Sequence, residues 1–161
     1  MAACMRFTRR VWKSFLEMQG HDTQCFPNLQ LHKASPGVVT ASLKVEPYNF
    51  HGGLIMSVTD TMGSLAVATK GQFMTGVSTD IGTSFVRPAG RAGDTLHVKA
   101  ELIGMGKSLA YTRVEFTNPD GVLLAYGHHT KYVGKSSQHP DNVKFSEDGE
   151  TVIEGEDLNV D

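Results

Sequence analysis

Residues 54–69, LIMSVTDTMGSLAVAT, constrain this 161-residue chain more than any other stretch. Sixteen residues are too many for an ordinary strand, so the run reads as a helix despite its threonines and valines. Apolar side chains fall around most of its circumference, and such a helix must be covered on several sides. It opens on His51-Gly52-Gly53 and holds Asp60 at its middle. Two glycines are a costly start for a buried helix, and an aspartate is a costly residue to place inside one.

The remaining pattern supplies the cover. Residues 3–19 read as a helix with Val11, Phe15 and Met18 on one stripe. PNLQLHKA and GVVTASLKV alternate on either side of Ser35-Pro36-Gly37, the signature of a hairpin. Strand patterns follow in VSTDIGTSFV, TLHVKAELI, SLAYTRVEFT and VLLAYGHHTKYV. The second of these sets Leu96, Val98, Ala100 and Leu102 against His97, Lys99 and Glu101; the last two flank the turn Asn118-Pro119-Asp120-Gly121. A curved antiparallel sheet wrapped around the central helix satisfies all of this, giving an α+β architecture. Its open edges invite pairing with a second copy.

Length allows one domain with a real core, placed at residues 21–134. No run approaches the eighteen or so apolar residues that a membrane span needs. The formal charge is −2, with no nucleic-acid partner expected, and the layout is uneven. Eight of the seventeen acids follow Gly134, against Lys135 and Lys144 alone. Residues 135–161 therefore read as an acidic, disordered tail. Residues 1–20, with Arg6, Arg9, Arg10 and Lys13 and few acids, read as an N-terminal helix or a targeting segment. Cys4 and Cys25 have no metal-ligand spacing and form no disulfide framework, which favours a reducing compartment, mitochondrial or cytoplasmic.

The first N–H groups of a helix lack intrahelical partners and carry the positive end of its dipole. Glycine there admits a ligand to the backbone, so Gly52 and Gly53 suit polarisation of a carbonyl oxygen. The alternative is a tight turn into a buried helix. Asp60, two turns after Gly53, projects from the same side as Ser57, Gly63 and Ser64, while Leu54, Val58, Met62 and Leu65 point elsewhere. No base stands three or four residues from Asp60 to neutralise it. The acid therefore reads as a general base, or alternatively as a nucleophile forming a mixed anhydride.

The HGG opening, Asp60 seven residues beyond Gly53, Gly76-Val77-Ser78-Thr79-Asp80 on the next strand and the closing GHHTKYVG together resemble the hotdog-fold acyl-CoA thioesterases, above all the eukaryotic, mitochondria-associated type. The resemblance spans roughly residues 36–134. It implies hydrolysis of fatty acyl-CoA to free fatty acid and CoA, with no metal or organic cofactor. It also implies a homodimer or homotetramer whose sites are shared between subunits. The Gly52 amide is assigned to the thioester carbonyl, Asp60 to water activation and Ser78 to water positioning. His51 either helps hold the carbonyl or its loop, or simply bonds the backbone at the helix start. Relatives carry an Asn several residues before HGG; here Asn49 lies two before His51, and either takes that role or shapes the turn. CoA is implied to lie across Phe85, Val86, Arg87, Pro88, Ala89, Gly90 and Arg91, across Gly104, Met105, Gly106, Lys107, Ser108 and Leu109, and near Tyr132. Arg87, Arg91 and Lys107 suit its phosphates. Without the resemblance they read as surface charges beside turns.

Other signals are discounted. The segment around Ser78 lacks the second glycine and the strand-to-helix context of a nucleophile elbow, and no properly ordered His follows, so a Ser-His-Asp hydrolase is not expected. His128 and His129 point to opposite faces of a strand and cannot share a metal. Residues 104–107 do not form a phosphate loop. Two other readings share the fold. One is an acyl-thioester hydratase or dehydratase, which wants an Asp–His dyad that the sequence does not display. The other is a non-catalytic acyl-CoA-binding module, which has no use for Asp60 and Ser78 together.

Overall fold

The computed structural model describes residues 1–46 and 51–158. Helix α1 (Ala3–Glu17) and a one-turn helix α2 (His21–Cys25) precede the hairpin of β1 (Gln30–Ser35) and β2 (Val38–Lys44). The long apolar run becomes helix α3 (Gly52–Ala68). Strands β3 (Val77–Phe85), β4 (Thr95–Met105), β5 (Leu109–Thr117) and β6 (Leu123–Tyr132) follow. All neighbours pair antiparallel, in the order β1-β2-β4-β5-β6-β3.

Period-two alternation sorts the two faces. Val39, Ala41, Leu43, Leu96, Val98, Ala100, Val114 and Phe116 are buried, while His97, Lys99, Tyr111, Arg113 and Tyr126 are exposed. α3 lies across the buried face against β2 to β6. Ile55, Val58, Met62, Leu65 and Val67 supply its buried side chains. Near 25 cal/mol per Å² of apolar surface, this burial is what holds helix and sheet together. The result is the expected hotdog arrangement.

α1 packs on β1 and α3. The sequence predicts a stripe through Val11, Phe15 and Met18, yet Met18 is 80% exposed. The helix is seated by its first ten residues instead, through Cys4, Met5, Phe7, Val11 and Trp12, with Trp12 stacked on Phe26. The Arg-rich segment is thus a packed helix of the fold, and its Arg6 and Arg10 reach Asp157 and Asp141.

Through residue 158, the acidic segment is not the disordered tail that its composition predicts. It forms a 3-10 turn (Ser136–Gln138) and a hairpin of β7 (Lys144–Phe145) and β8 (Val152–Glu154). Val143 is buried and donates its N–H to the Gly71 carbonyl at 2.9 Å; the Gly149 carbonyl accepts from Cys4 N–H at 2.9 Å. Phe145 meets Phe7 edge-on at 5.7 Å. A few apolar residues, too sparse to show a period, anchor the segment while most of its acids face solvent or the α1 arginines.

One edge of the sheet, β1, is flanked by α1. The other, β3, is unpaired among the described residues, and Val77 and Phe85 at its ends are 64% and 58% exposed.

Candidate active site

His51 caps α3. Its Nδ1 accepts from Gly53 N–H at 2.9 Å and its carbonyl accepts from Leu54 N–H at 2.9 Å. Gly53 is therefore spent on the cap, and of the two glycines only Gly52 has an amide that no described residue accepts. His51 bonds the backbone through Nδ1 and also lines the cleft that Gly52 faces. Gly52 faces an apolar cleft of about 480 Å³ lined by Val45, Leu54, Ile55, Leu96 and the segment from Phe85 to Ala89. A Cβ on Gly52 would stand 3.0 Å from the Phe85 ring, so glycine is what lets that ring, or a ligand, close on the helix start.

Asp60 faces a different cleft, of about 460 Å³ and more polar, with Gly53, Ser57, Thr61, Ser64, Ile81 and Lys131. Its side chain is 53% exposed, so it lies at the surface of α3 rather than inside the core as expected. Ser57 and Ser64 share the cleft. Gly63 does not: a Cβ there would meet Thr112 Oγ1 at 2.7 Å and His129 Cβ at 2.9 Å. Glycine at 63 instead lets β6 approach the helix beside Asp60.

That approach creates the contact that the sequence reading missed. His129 is fully buried, and its Nδ1 lies 3.1 Å from the Asp60 main-chain carbonyl and 3.6 Å from the Asp60 carboxylate. A carbonyl can only accept, so Nδ1 carries the proton. Nε2 is then left to accept from Ser78 Oγ at 2.8 Å. Burial foremost, then the Lys131 charge, hold the imidazole below its ordinary pKa, against the pull of Asp60. The lowered pKa favours the neutral ring at pH 7, and among the described residues no Lys or Arg lies within 4 Å of the Asp60 carboxylate. Ser78 thus has a histidine partner after all, although it sits on an edge strand, beside a register shift between Ser78 and Asp80, and not on a nucleophile elbow. His128, one residue earlier, points outward and bonds Asp80 at 3.0 Å, as alternation requires.

α2 closes the polar cleft. Thr61 Oγ1 donates to Asp22 at 2.6 Å. Ser57 Oγ donates to the Gly53 carbonyl, so His21 Nε2, 2.8 Å away, donates to Ser57. Lys131 is 4% exposed and donates to Ser64 Oγ at 2.6 Å. His129 and Lys131 alternate with outward residues on β6, so a His and a Lys on a face otherwise made of Ala125, Gly127 and Val133 were the signal available in the sequence.

The residues expected to hold CoA fall into two groups. Phe85, Val86, Arg87, Pro88 and Ala89 line the Gly52 cleft; Arg87 donates to the Leu123 carbonyl at 2.9 Å. Gly90 and Arg91 make the turn beyond it, where Arg91 N–H bonds Asp94 at 2.7 Å. The segment from Gly104 through Met105, Gly106, Lys107 and Ser108 to Leu109 forms the β4–β5 turn, and Leu109 pairs with Tyr132. Tyr132 in turn pairs with Val77, whereas Phe85 pairs with Ala125. The two groups therefore lie at opposite ends of β3, about 27 Å apart at strand rise. Asn49 lies outside the described residues.

A sequence profile described as the Thioesterase superfamily matches residues 49–125. Acyl-coenzyme A thioesterase 13 of Homo sapiens is 30% identical over 83% of this chain and 99% of its own length. Thioesterase superfamily member 2 of zebra fish superposes with a TM-score of 0.70 at 26% identity, covering 78% of this chain and 94% of that one. A hypothetical thioesterase protein of Streptococcus pneumoniae, crystallised with coenzyme A, shares the fold at TM-score 0.66 and 22% identity over 74% of this chain and 94% of its own. A helix-start amide, a half-exposed carboxylate and a matching fold thus meet in one lineage: the chain belongs to the thioesterase superfamily and is a thioester hydrolase.

Proposed function

We propose that the chain hydrolyses fatty acyl-CoA to a free acid and CoA as a homodimer, or a pair of dimers, with each site shared between two copies. The observation that carries this reading is the Asp60 carboxylate, half-exposed in a polar cleft and 3.6 Å from a neutral His129 that is itself bonded to Ser78. Asp60 takes a proton from water, Ser78 holds that water, and the Gly52 amide of the other copy draws electron density from the thioester carbonyl. Attack breaks the carbon–sulfur bond, and CoA leaves as a thiol.

Geometry supports the sharing. Gly52 and Asp60 are eight residues apart on one helix, about 12 Å along its axis, too far to act on the same carbonyl. The two CoA segments are farther apart still. Antiparallel pairing of β3 with β3 of a second copy sets the Val77 end of one strand beside the Phe85 end of the other, joining both pairs of partners at once. The coenzyme A in the Streptococcus pneumoniae relative supports the same ligand class here. A reducing compartment, matrix or cytosol, suits the two thiols.

The Ser78–His129 bond favours a second route, acyl transfer to Ser78 followed by hydrolysis. The test is thiol release across acyl-CoAs of short to long chain, with mass spectrometry of the quenched enzyme. Steady release with no acylated protein supports direct attack by water; an added acyl mass on Ser78 supports the second route. Absence of release from every acyl-CoA would overturn both.

A further inference from the structure

Lys131 is not explained by the roles given so far. Its ammonium is buried, its one hydrogen bond goes to the Ser64 hydroxyl at 2.6 Å, and among the described residues no carboxylate lies within 4 Å of it. Two of its three N–H bonds remain for the cleft it lines. Burying a cation on a single hydroxyl is costly, and an apolar side chain of similar volume fills such space without that cost. Packing therefore gives no reason for a lysine here.

Its position does. Lys131 and His129 are two residues apart on β6 and face the same side, about 7 Å from one another at strand spacing. His129 must stay unprotonated for Nε2 to accept from Ser78. We propose that Lys131 is a positioning residue acting through His129: its ammonium, fixed on Ser64, keeps the imidazole in the neutral form that holds Ser78, and so sets the pH below which hydrolysis stops. The proposal rests on the hydrolytic reading of this cleft.

The surrounding charges agree. The groups facing His129 are Asp60 from α3 and Lys131 on its own strand, with His128 acting from the opposite face. Those facing Lys131 are Asp60, with His21 and Asp22 from α2; α1 and β3 bring only Phe15 and Ile81 to the cleft. Burial pulls the lysine down, and Asp60, then Asp22, pull it back toward its charged form. Asp22 thus adds to the pull of Asp60 toward the charged ammonium without touching it.

The test uses Lys131→Met, Lys131→Gln and Lys131→Arg in the full chain. NMR titration of the His129 ring is one readout, and the pH dependence of kcat/KM for acyl-CoA hydrolysis is the other. In the Met and Gln variants the His129 midpoint rises by about one unit and the acid limb of kcat/KM follows it, while the rate at pH 8 stays within a few-fold of wild type. Arg restores both positions. An unmoved His129 midpoint in either folded neutral variant overturns the role of Lys131, as does a uniform fall in rate with the limb in place. Failure of the wild type to release thiol sinks the hydrolytic reading instead, and the ring titration reads the charge effect independently of it.

Discussion

At the scale of single residues, Gly52 offers a test of the amide when run beside Gly52→Ala, which keeps the N–H but, like proline, sets a Cβ 3.0 Å from the Phe85 ring. Gly52 is the first residue of α3, where proline is well tolerated because its missing N–H is an orphan anyway. His51 before it is extended, at φ −134° and ψ 144°, as a residue preceding proline prefers. Gly52→Pro therefore removes the amide and keeps the helix. The expected loss is about 10²–10³ in kcat with an unchanged circular dichroism spectrum. Asp60→Asn keeps the shape and removes the base; a fall of about 10²–10⁴ in thiol release is expected, and near wild-type turnover would sink the assignment. His129 carries a pH signature of its own. Because its folded pKa is depressed, the unfolded chain takes up the proton first, near pH 6.5. Stability is full above that pH and declines as pH falls through the window beneath it, which a melting-temperature series from pH 8 to pH 5 detects and His129→Gln flattens. Asp60 and the helix-start glycines were singled out from residue type and spacing, Ser78 only through the resemblance. His129 and Lys131 were not read, because pairing a strand with a helix 69 or 67 residues away is a tertiary fact.

Among elements, the contact between α3 and β6 decides whether the site exists. Gly63 is the hinge of that closeness. Gly63→Ala places a Cβ 2.7 Å from Thr112 Oγ1 and 2.9 Å from His129 Cβ, so β6 must retreat. Overpacking of this kind costs about 1–3 kcal/mol. The expected outcome is a lower urea midpoint together with slower hydrolysis, since His129 moves away from both Asp60 and Ser78. Length made the long helix, and alternation the six strands, readable in advance. α2 and the β7–β8 hairpin escaped for a common reason. Each is only a few residues long, so no period develops, and each is held by groups from elsewhere: the Ser57 and Thr61 side chains for α2, the Gly71 and Cys4 backbones for the C-terminal segment.

For the whole molecule, the central prediction is complementation. If each site takes Gly52 from one copy and Asp60 from the other, Asp60→Asn and Gly52→Pro are each inactive alone. Mixed after unfolding and refolding, half the dimers pair one of each and regain one intact site, restoring about a quarter of wild-type activity. No recovery would mean that both groups serve their own chain. What the sequence determined by itself was whatever depends on near neighbours: the alternation that marks the strands, the apolar run that demands a wrapped sheet, and the amide and acid set about two turns apart on one helix. Only the tertiary structure decided what depends on approach between distant segments. It spent Gly53 on the His51 cap, brought His129 under Asp60 and against Ser78, buried Lys131 beside them, and seated the acidic segment on α1. Local pattern records which face a side chain takes; it does not record what stands opposite, because that partner is chosen by packing across the whole core.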